Sequence, residues 1–232
     1  MPAAIEIRHL TKDYGNLRAV DDLSFTAAAG EIIALLGPNG AGKSTLMNMI
    51  TGYLAPSSGD IFILGRNIRD NPLSAKASVG FLPEGAPLYP DLSVRDFLRY
   101  MAELRGLPAA RIAEAAETAN VTQVMQQKIE TLSKGYLRRV GFAQSILSNP
   151  PVLLLDEPTD GLDPNQKAHI RSLINQMGQE KTILISTHLL EEAETVCSKI
   201  MADGSCAEII ARSGGKTLAE AFRKLTVSEE EN

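Results

Sequence analysis

The stretch "EIIALLGPNGAGKST", Glu31 to Thr45, decides the fold. Its opening residues are almost continuously apolar, the pattern of a strand covered on both faces of a parallel sheet. From Gly37 it follows G-x-x-x-x-G-K-[ST], between an apolar strand and the opening of a helix, which is the context that motif needs. Gly37, Gly40 and Gly42 let backbone N–H groups wrap around phosphates, and the helix dipole adds favourable potential at the same spot. Lys43 supplies a point charge to the outer phosphates, and the Ser44 hydroxyl is suited to hold Mg2+. The expectation is a nucleoside-triphosphate site at the edge of a parallel sheet.

Two more apolar runs extend that sheet. "VLLLDE" (152–157) places Asp156 and Glu157 at a strand's C-terminal edge, where open α/β sheets bind their ligands. Asp156 is suited to the Mg2+ shell and Glu157 to polarising an attacking water. "TILIST" (182–187) runs into His188. A lone histidine at a strand end is more often structural, but this one faces the same phosphate edge. Elsewhere the pattern changes: Ile5 and Ile7, then Val20, Leu23 and Phe25, alternate with polar residues as antiparallel strands with one wet face do. "GDIFILGRNI" (59–68) reads as a further strand or hairpin turning at Gly65.

Between these strand-rich parts the chain turns to helix formers. "DLSVRDFLRYMAELRGLP" has Ser93 and Asp96 at capping-box spacing and stops at Gly106 and Pro108, and "AARIAEAAETAN" is a second helix ending near Asn120. A third begins in "TLSKGYLRRVGFAQSIL" (131–147) and stops before "NPP". There Leu137, Val140, Ala143 and Leu147 form an apolar stripe, with the Arg138–Arg139 pair off it. Ser133 stands as an N-cap and Gly135 permits a close backbone approach, so this helix start is built like a second anion site.

The bulk numbers narrow the function. A net charge of −5 argues against nucleic acid as a partner, because phosphate backbones need a clustered basic face. Cys197 and Cys206 lack metal-type spacing and read as reduced thiols. No apolar run approaches the roughly 20 residues of a membrane span, and the charged N-terminal stretch is unlike a signal peptide. Any membrane role is therefore expected to come through a partner.

In order, "GPNGAGKST", "LSKGY", "LLLDEPTDGLD" and "STHLLEEAE" resemble the ATP-binding subunits of ABC transporters, over about residues 5 to 210. The resemblance implies an α/β fold: a P-loop nucleoside-triphosphatase core with a mostly parallel sheet, an antiparallel β side sheet and an inserted α-helical subdomain. The core would take residues 1–85 and 150–210, the helical subdomain 86–149 and a short tail 211–232. Its cofactors would be ATP and Mg2+, held in a head-to-tail dimer between one copy's P-loop and the other's signature segment, here Ser133 and Gly135.

Position by position, Tyr14 matches the aromatic that stacks on adenine. Gly37, Pro38, Asn39, Gly40, Ala41, Gly42, Lys43, Ser44 and Thr45 match the Walker A loop. Asp156 matches Walker B, Glu157 the catalytic carboxylate, Asp163 the aspartate that crosses the dimer interface, and His188 the switch histidine on the γ-phosphate. Glu84 stands where the family usually has a glutamine that senses Mg2+, and Lys134 and Tyr136 depart from the common Leu-Ser-Gly-Gly-Gln signature. These departures resemble single-domain ATPases that pair with a separate integral permease, often for export, on the cytoplasmic face of the inner membrane. The region near residues 84–105, where Pro83, Pro87 and Pro90 stiffen a loop feeding the helical insert, is the expected docking surface. The alternative is an ABC-type ATPase with a non-transport or regulatory role. The stretch from Lys43 to Asp156 is too short for the long coiled coil of chromosome-type members.

Overall fold

The computed structural model describes residues 3–85 and 87–201. The chain opens with β1 (Ala3–Tyr14), β2 (Leu17–Ala28), β3 (Ile32–Leu36) and helix α1 (Lys43–Ile50). It continues through β4 (Ser58–Ile63), β5 (Arg66–Asn67), α2 (Pro72–Ala77) and β6 (Val79–Leu82). Three helices follow: α3 (Val94–Leu104), α4 (Ala110–Thr118) and α5 (Lys134–Ile146). The chain then returns through β7 (Val152–Asp156), α6 (Pro164–Met177), β8 (Thr182–Thr187), α7 (Leu190–Val196) and β9 (Lys199–Met201).

The strands divide into two sheets. An antiparallel sheet has the order β2-β1-β4-β5, and a five-stranded sheet has the order β6-β7-β8-β3-β9 with every pair parallel. The strands before residue 85 therefore do not all join one sheet: only β3 and β6 pair with the later strands. The β4–β5 hairpin turns on Leu64 and Gly65, both at positive φ, as a tight two-residue turn requires.

Continuous apolar runs gave the interior strands because those strands are covered on both sides. Every residue of β3, β7 and β8 is buried. Successive side chains alternate between faces, and the two faces feed two separate cores. Leu153 and Leu155 of β7 pack with Ile183 and Ile185 of β8 against the helices, joining Phe97, Leu98, Phe142 and Ile146. Val152, Leu154 and Leu184 pack with Ile33, Leu35, Met47 and Met49 beneath the antiparallel sheet.

Three elements escape the apolar pattern. β6 and β9 have four and three residues, too few to show a period, and α2 is a six-residue helix opened by Pro72. Ser93 does cap α3, accepting from the Asp96 N–H at 3.0 Å. Asp96, a shorter side chain than Glu, accepts from the Ser93 hydroxyl at 2.6 Å, so the pair is not a reciprocal box. Among the described residues no helix is long and apolar enough to cross a membrane. Burial pushes the Cys197 thiol up to about 12, so it is an inert neutral group. Cys206 and the tail 211–232 lie outside the described residues.

Candidate functional site

Parallel pairing brings the C-terminal ends of four strands to one edge. Leu36 lies opposite Thr187, Asp156 opposite Ser186 and Leu82 opposite Leu155. The segments that leave those ends carry Gly37–Thr45, Glu84, Glu157 and His188, so the sheet itself assembles the candidate site.

The glycine-rich loop leaves β3 and enters α1 through Gly42, which takes a φ of +80° as its N-cap. A Cβ on Gly42 would lie 2.2 Å from the Ala19 carbonyl oxygen, so only glycine allows the loop to pass β2. Lys43 curls back: its Nζ donates to the Gly37 carbonyl at 2.7 Å and the Pro38 carbonyl at 2.9 Å. The same Nζ is 3.8 Å from Glu157 Oε1, with both side chains almost fully covered. Ser44 is exposed in the first turn, which contains no acidic residue to neutralise the helix dipole.

Glu157 closes the other side. It is buried, at a φ of +48°, and its N–H donates to the Ser186 hydroxyl at 3.0 Å. The Ser186 hydroxyl in turn donates to Asp156. Glu157 Oε2 is 3.0 Å from His188 Nδ1, while Oε1 is buried without a hydrogen-bond partner. Burial raises the Glu157 pKa, and its bond to His188 and the nearby charge of Lys43 oppose that rise. A carboxylate shifted upward with one free oxygen is equipped to accept a proton from water. Lys43 and His188 thus each meet Glu157, and Asp156 is linked to it through Ser186.

The remaining sequence-derived residues do not join this cluster. Tyr14 is half exposed at the end of β1, with Lys12 Nζ 5.2 Å from its ring centre. Glu84 is exposed. Ser133 caps α5 by accepting from the Tyr136 N–H, and Asp163 caps α6 by accepting from the Gln166 N–H at 2.9 Å. Gly135 is buried against its own chain: a Cβ there would meet the Gln166 side-chain amide at 2.4 Å. Lys134 reaches to 3.8 Å from Asp160 and lies across Gly161. Among the described residues the N–H groups of Lys134 and Gly135 donate to nothing, as the first N–H groups of a helix commonly do.

Two participants are absent from the motif reading. Glu192 of α7 is buried and accepts from the Thr159 and Thr187 hydroxyls, the latter at 3.1 Å. Lys167 and Arg171 of α6 face it at 3.4 and 3.7 Å. Thr187 also accepts from the Leu189 N–H at 3.1 Å, so this network sets the chain on both sides of His188. Arg138 is the second: it is buried, whereas the stripe of α5 placed it with Arg139 on the polar side. Only Arg139 stays near the surface, 4.2 Å over the Tyr136 ring. The helix is buried nearly all round from Val140 to Ile146, and the spacing Gly135, Arg138, Phe142, Ser145 marks a second covered face.

Comparison with known proteins bears on this arrangement. Residues 20–160 match the family model described as "ABC transporter". The Nod factor export ATP-binding protein I of Paraburkholderia xenovorans (strain LB400) is 37% identical over 233 residues, covering 95% of this chain and 77% of that protein. A solved ATP-binding subunit of an ABC transporter superimposes with a TM-score of 0.84 at 29% identity, covering 96% of this chain and 99% of that one. A dimeric bacterial ABC transporter cassette gives a TM-score of 0.79 at 25% identity, covering 85% and 93%.

Proposed function

This chain belongs to the ABC transporter family as an ATP-binding subunit, and on that premise we propose that it hydrolyses ATP between two copies to drive a separate permease. The observation that carries this reading is Glu157, buried between Lys43 and His188 with one oxygen free. The triphosphate lies along Gly37–Thr45, where Lys43 exchanges its own loop carbonyls for phosphate oxygens. Tyr14, half exposed at the end of β1, stacks on the base.

The donors at the strand edge suit Mg2+. Ser44, Asp156 and Glu84 offer hard oxygen atoms, and among the described residues no cluster of three or more His, Cys, Asp or Glu forms a protein cage. An ion here would complete its shell with phosphate and water, and would neutralise charge on the transferred group. Glu157 orients the attacking water and takes its proton, and His188 both holds Glu157 and reaches the γ-phosphate. Ser133 and the free N–H groups of Lys134 and Gly135, on a second copy, supply the missing anion contacts across a head-to-tail interface that Asp163 also approaches. The dimeric form of the similar cassette supports that arrangement.

The permease docks on residues 84–105. Supporting this, Tyr89 and Tyr100 are about half exposed and pack edge to face, 5.8 Å between ring centres, with Tyr89 leaning on buried Phe97. Export is favoured by the similar Nod factor export protein and puts the chain at the cytoplasmic face of the membrane. The test is steady-state hydrolysis by the purified chain, alone and co-expressed with a candidate permease. Activity that Glu157→Gln leaves standing, or a chain that washes off permease-containing membranes, ends the reading.

A further inference from the structure

Arg138 is the most heavily bonded side chain in the described structure, and no step proposed above uses it. Its Nη1 donates to the Pro83 carbonyl at 2.9 Å and the Glu84 carbonyl at 2.6 Å. Its Nη2 donates to the carbonyls of Asp156 and Glu157, and its Nε to the Pro158 carbonyl at 3.1 Å. A guanidinium has five N–H groups, and here each meets one backbone acceptor. No carboxylate pairs with it among the described residues, and burial lowers its pKa. Its bonds all go to carbonyls, with the charges of Asp156, Asp160, Glu84 and Glu157 nearby but unbonded. A buried cation so held is an expensive way to fill space, which an apolar side chain does better.

The geometry of the acceptors shows what the cation does there. Asp156, Glu157 and Pro158 are consecutive, yet their carbonyls converge on one centre. An extended strand points successive carbonyls to opposite sides, and the left-handed φ of Glu157 is the turn that gathers them. We propose that Arg138 is a positioning residue for hydrolysis: it holds the Glu157 peptide in that left-handed turn and ties it to α5 and to the 83–84 loop. Rotation of α5 against the sheet then either carries the Glu157 peptide with it or breaks the five bonds. Because α5 begins at Ser133, engagement of its start by an anion is passed to the carboxylate through one side chain.

This inference rests on the proposed hydrolysis at Glu157, and its test separates the two. Full-length chains carrying Arg138→Lys and Arg138→Gln are compared with the unaltered chain for thermal unfolding, binding of a fluorescent ATP analogue, and kcat and KM for ATP. Lysine keeps the charge and reaches the same pocket, but its three donors sit on one atom and cannot serve five carbonyls. The expected result for Arg138→Lys is a folded protein, analogue affinity and KM within about threefold, and kcat down at least about tenfold. A kcat within about twofold of the unaltered chain overturns the proposal, as does a loss proportional to the loss of folded, ATP-binding protein. Failure of both variants to fold overturns it too, because Arg138 is then a core strut. Hydrolysis by the unaltered chain that survives Glu157→Gln instead sinks the reading of function beneath it.

Discussion

On the proposed reading the strand-edge cluster and the start of α5 both meet phosphate, but by opposite means. At the strand edge, side chains already satisfy one another: Lys43 holds the carbonyls of its own loop, and Glu157 sits between Lys43 and His188. At the start of α5, the backbone N–H groups of Lys134 and Gly135 hold nothing, while the inward side is committed to its own chain through Gly135 and Arg138. In the first region the side chains of one chain already satisfy one another. On the proposed reading the second is a half-site on a lever, completed by another molecule. A parallel sheet makes the first cheaply because its strand ends coincide. The second needs a helix whose orientation against the sheet is itself controlled.

On that contrast, damage at the strand edge should strike nucleotide binding and hydrolysis directly. Glu157→Gln removes the proton acceptor while keeping its shape, and should lower steady-state hydrolysis about 100-fold or more with ATP affinity retained. Lys43→Ala strikes earlier in the cycle. It deletes the side-chain cation in contact with the loop and Glu157, and should weaken ATP binding by about tenfold or more in a fluorescence titration. A Lys43→Ala chain that binds ATP normally would show that the cluster is not self-complete.

How much of this contrast the sequence displays follows from what each region is made of. The strand edge is legible because its residues follow apolar runs long enough to define interior strands, with glycine, lysine and carboxylates at fixed offsets. Gly42 is legible too, since its φ and its approach to Ala19 forbid any other residue. The inward face of α5 is not. Arg138 falls outside an apolar stripe and reads as solvated, because nothing local says that two other segments, 83–84 and 156–158, will turn their carbonyls toward it. Gly135 was legible as a close approach, but its neighbour, Gln166 of α6, is 31 positions away in sequence. Short elements such as β6 and α2 carry too few residues for a period, and tertiary pairing alone defines them.

The half-site should respond differently at its two faces. Ser133→Ala removes the α5 cap, a cost of about 1 kcal/mol in stability. It should leave ATP binding by a single chain unchanged while lowering hydrolysis about tenfold at high protein concentration, where copies meet. Gly135→Ala acts inward instead. Its new methyl must displace the Gln166 amide, so stability should drop by about 1–3 kcal/mol in urea unfolding. Equal effects of the two changes on stability would erase the distinction between the outward and inward faces.

The smallest expected effect tests whether the strand-edge cluster is as self-contained as its contacts suggest, and it is one of pH. Burial raises the Glu157 pKa despite the opposing pull of His188 and Lys43. Below the ordinary glutamate range the carboxyl is protonated in both the folded and unfolded chain, and contributes no pH dependence. As pH rises through that range the unfolded chain gives up its proton first, while the folded chain keeps it until the raised value is passed. Over that window the folded state binds more protons, so stability falls with pH and then levels off. Glu157→Gln carries no titrating proton and escapes this loss. Its unfolding midpoint should therefore exceed that of the unaltered chain at pH 7 to 8, by about 2–4 °C for each kcal/mol recovered, and the gap should close toward pH 4.5. An unaltered chain that is the more stable of the two at pH 7 would mean that its ion pairs outweigh burial. The free oxygen of Glu157 would then be held for structure rather than kept ready for water.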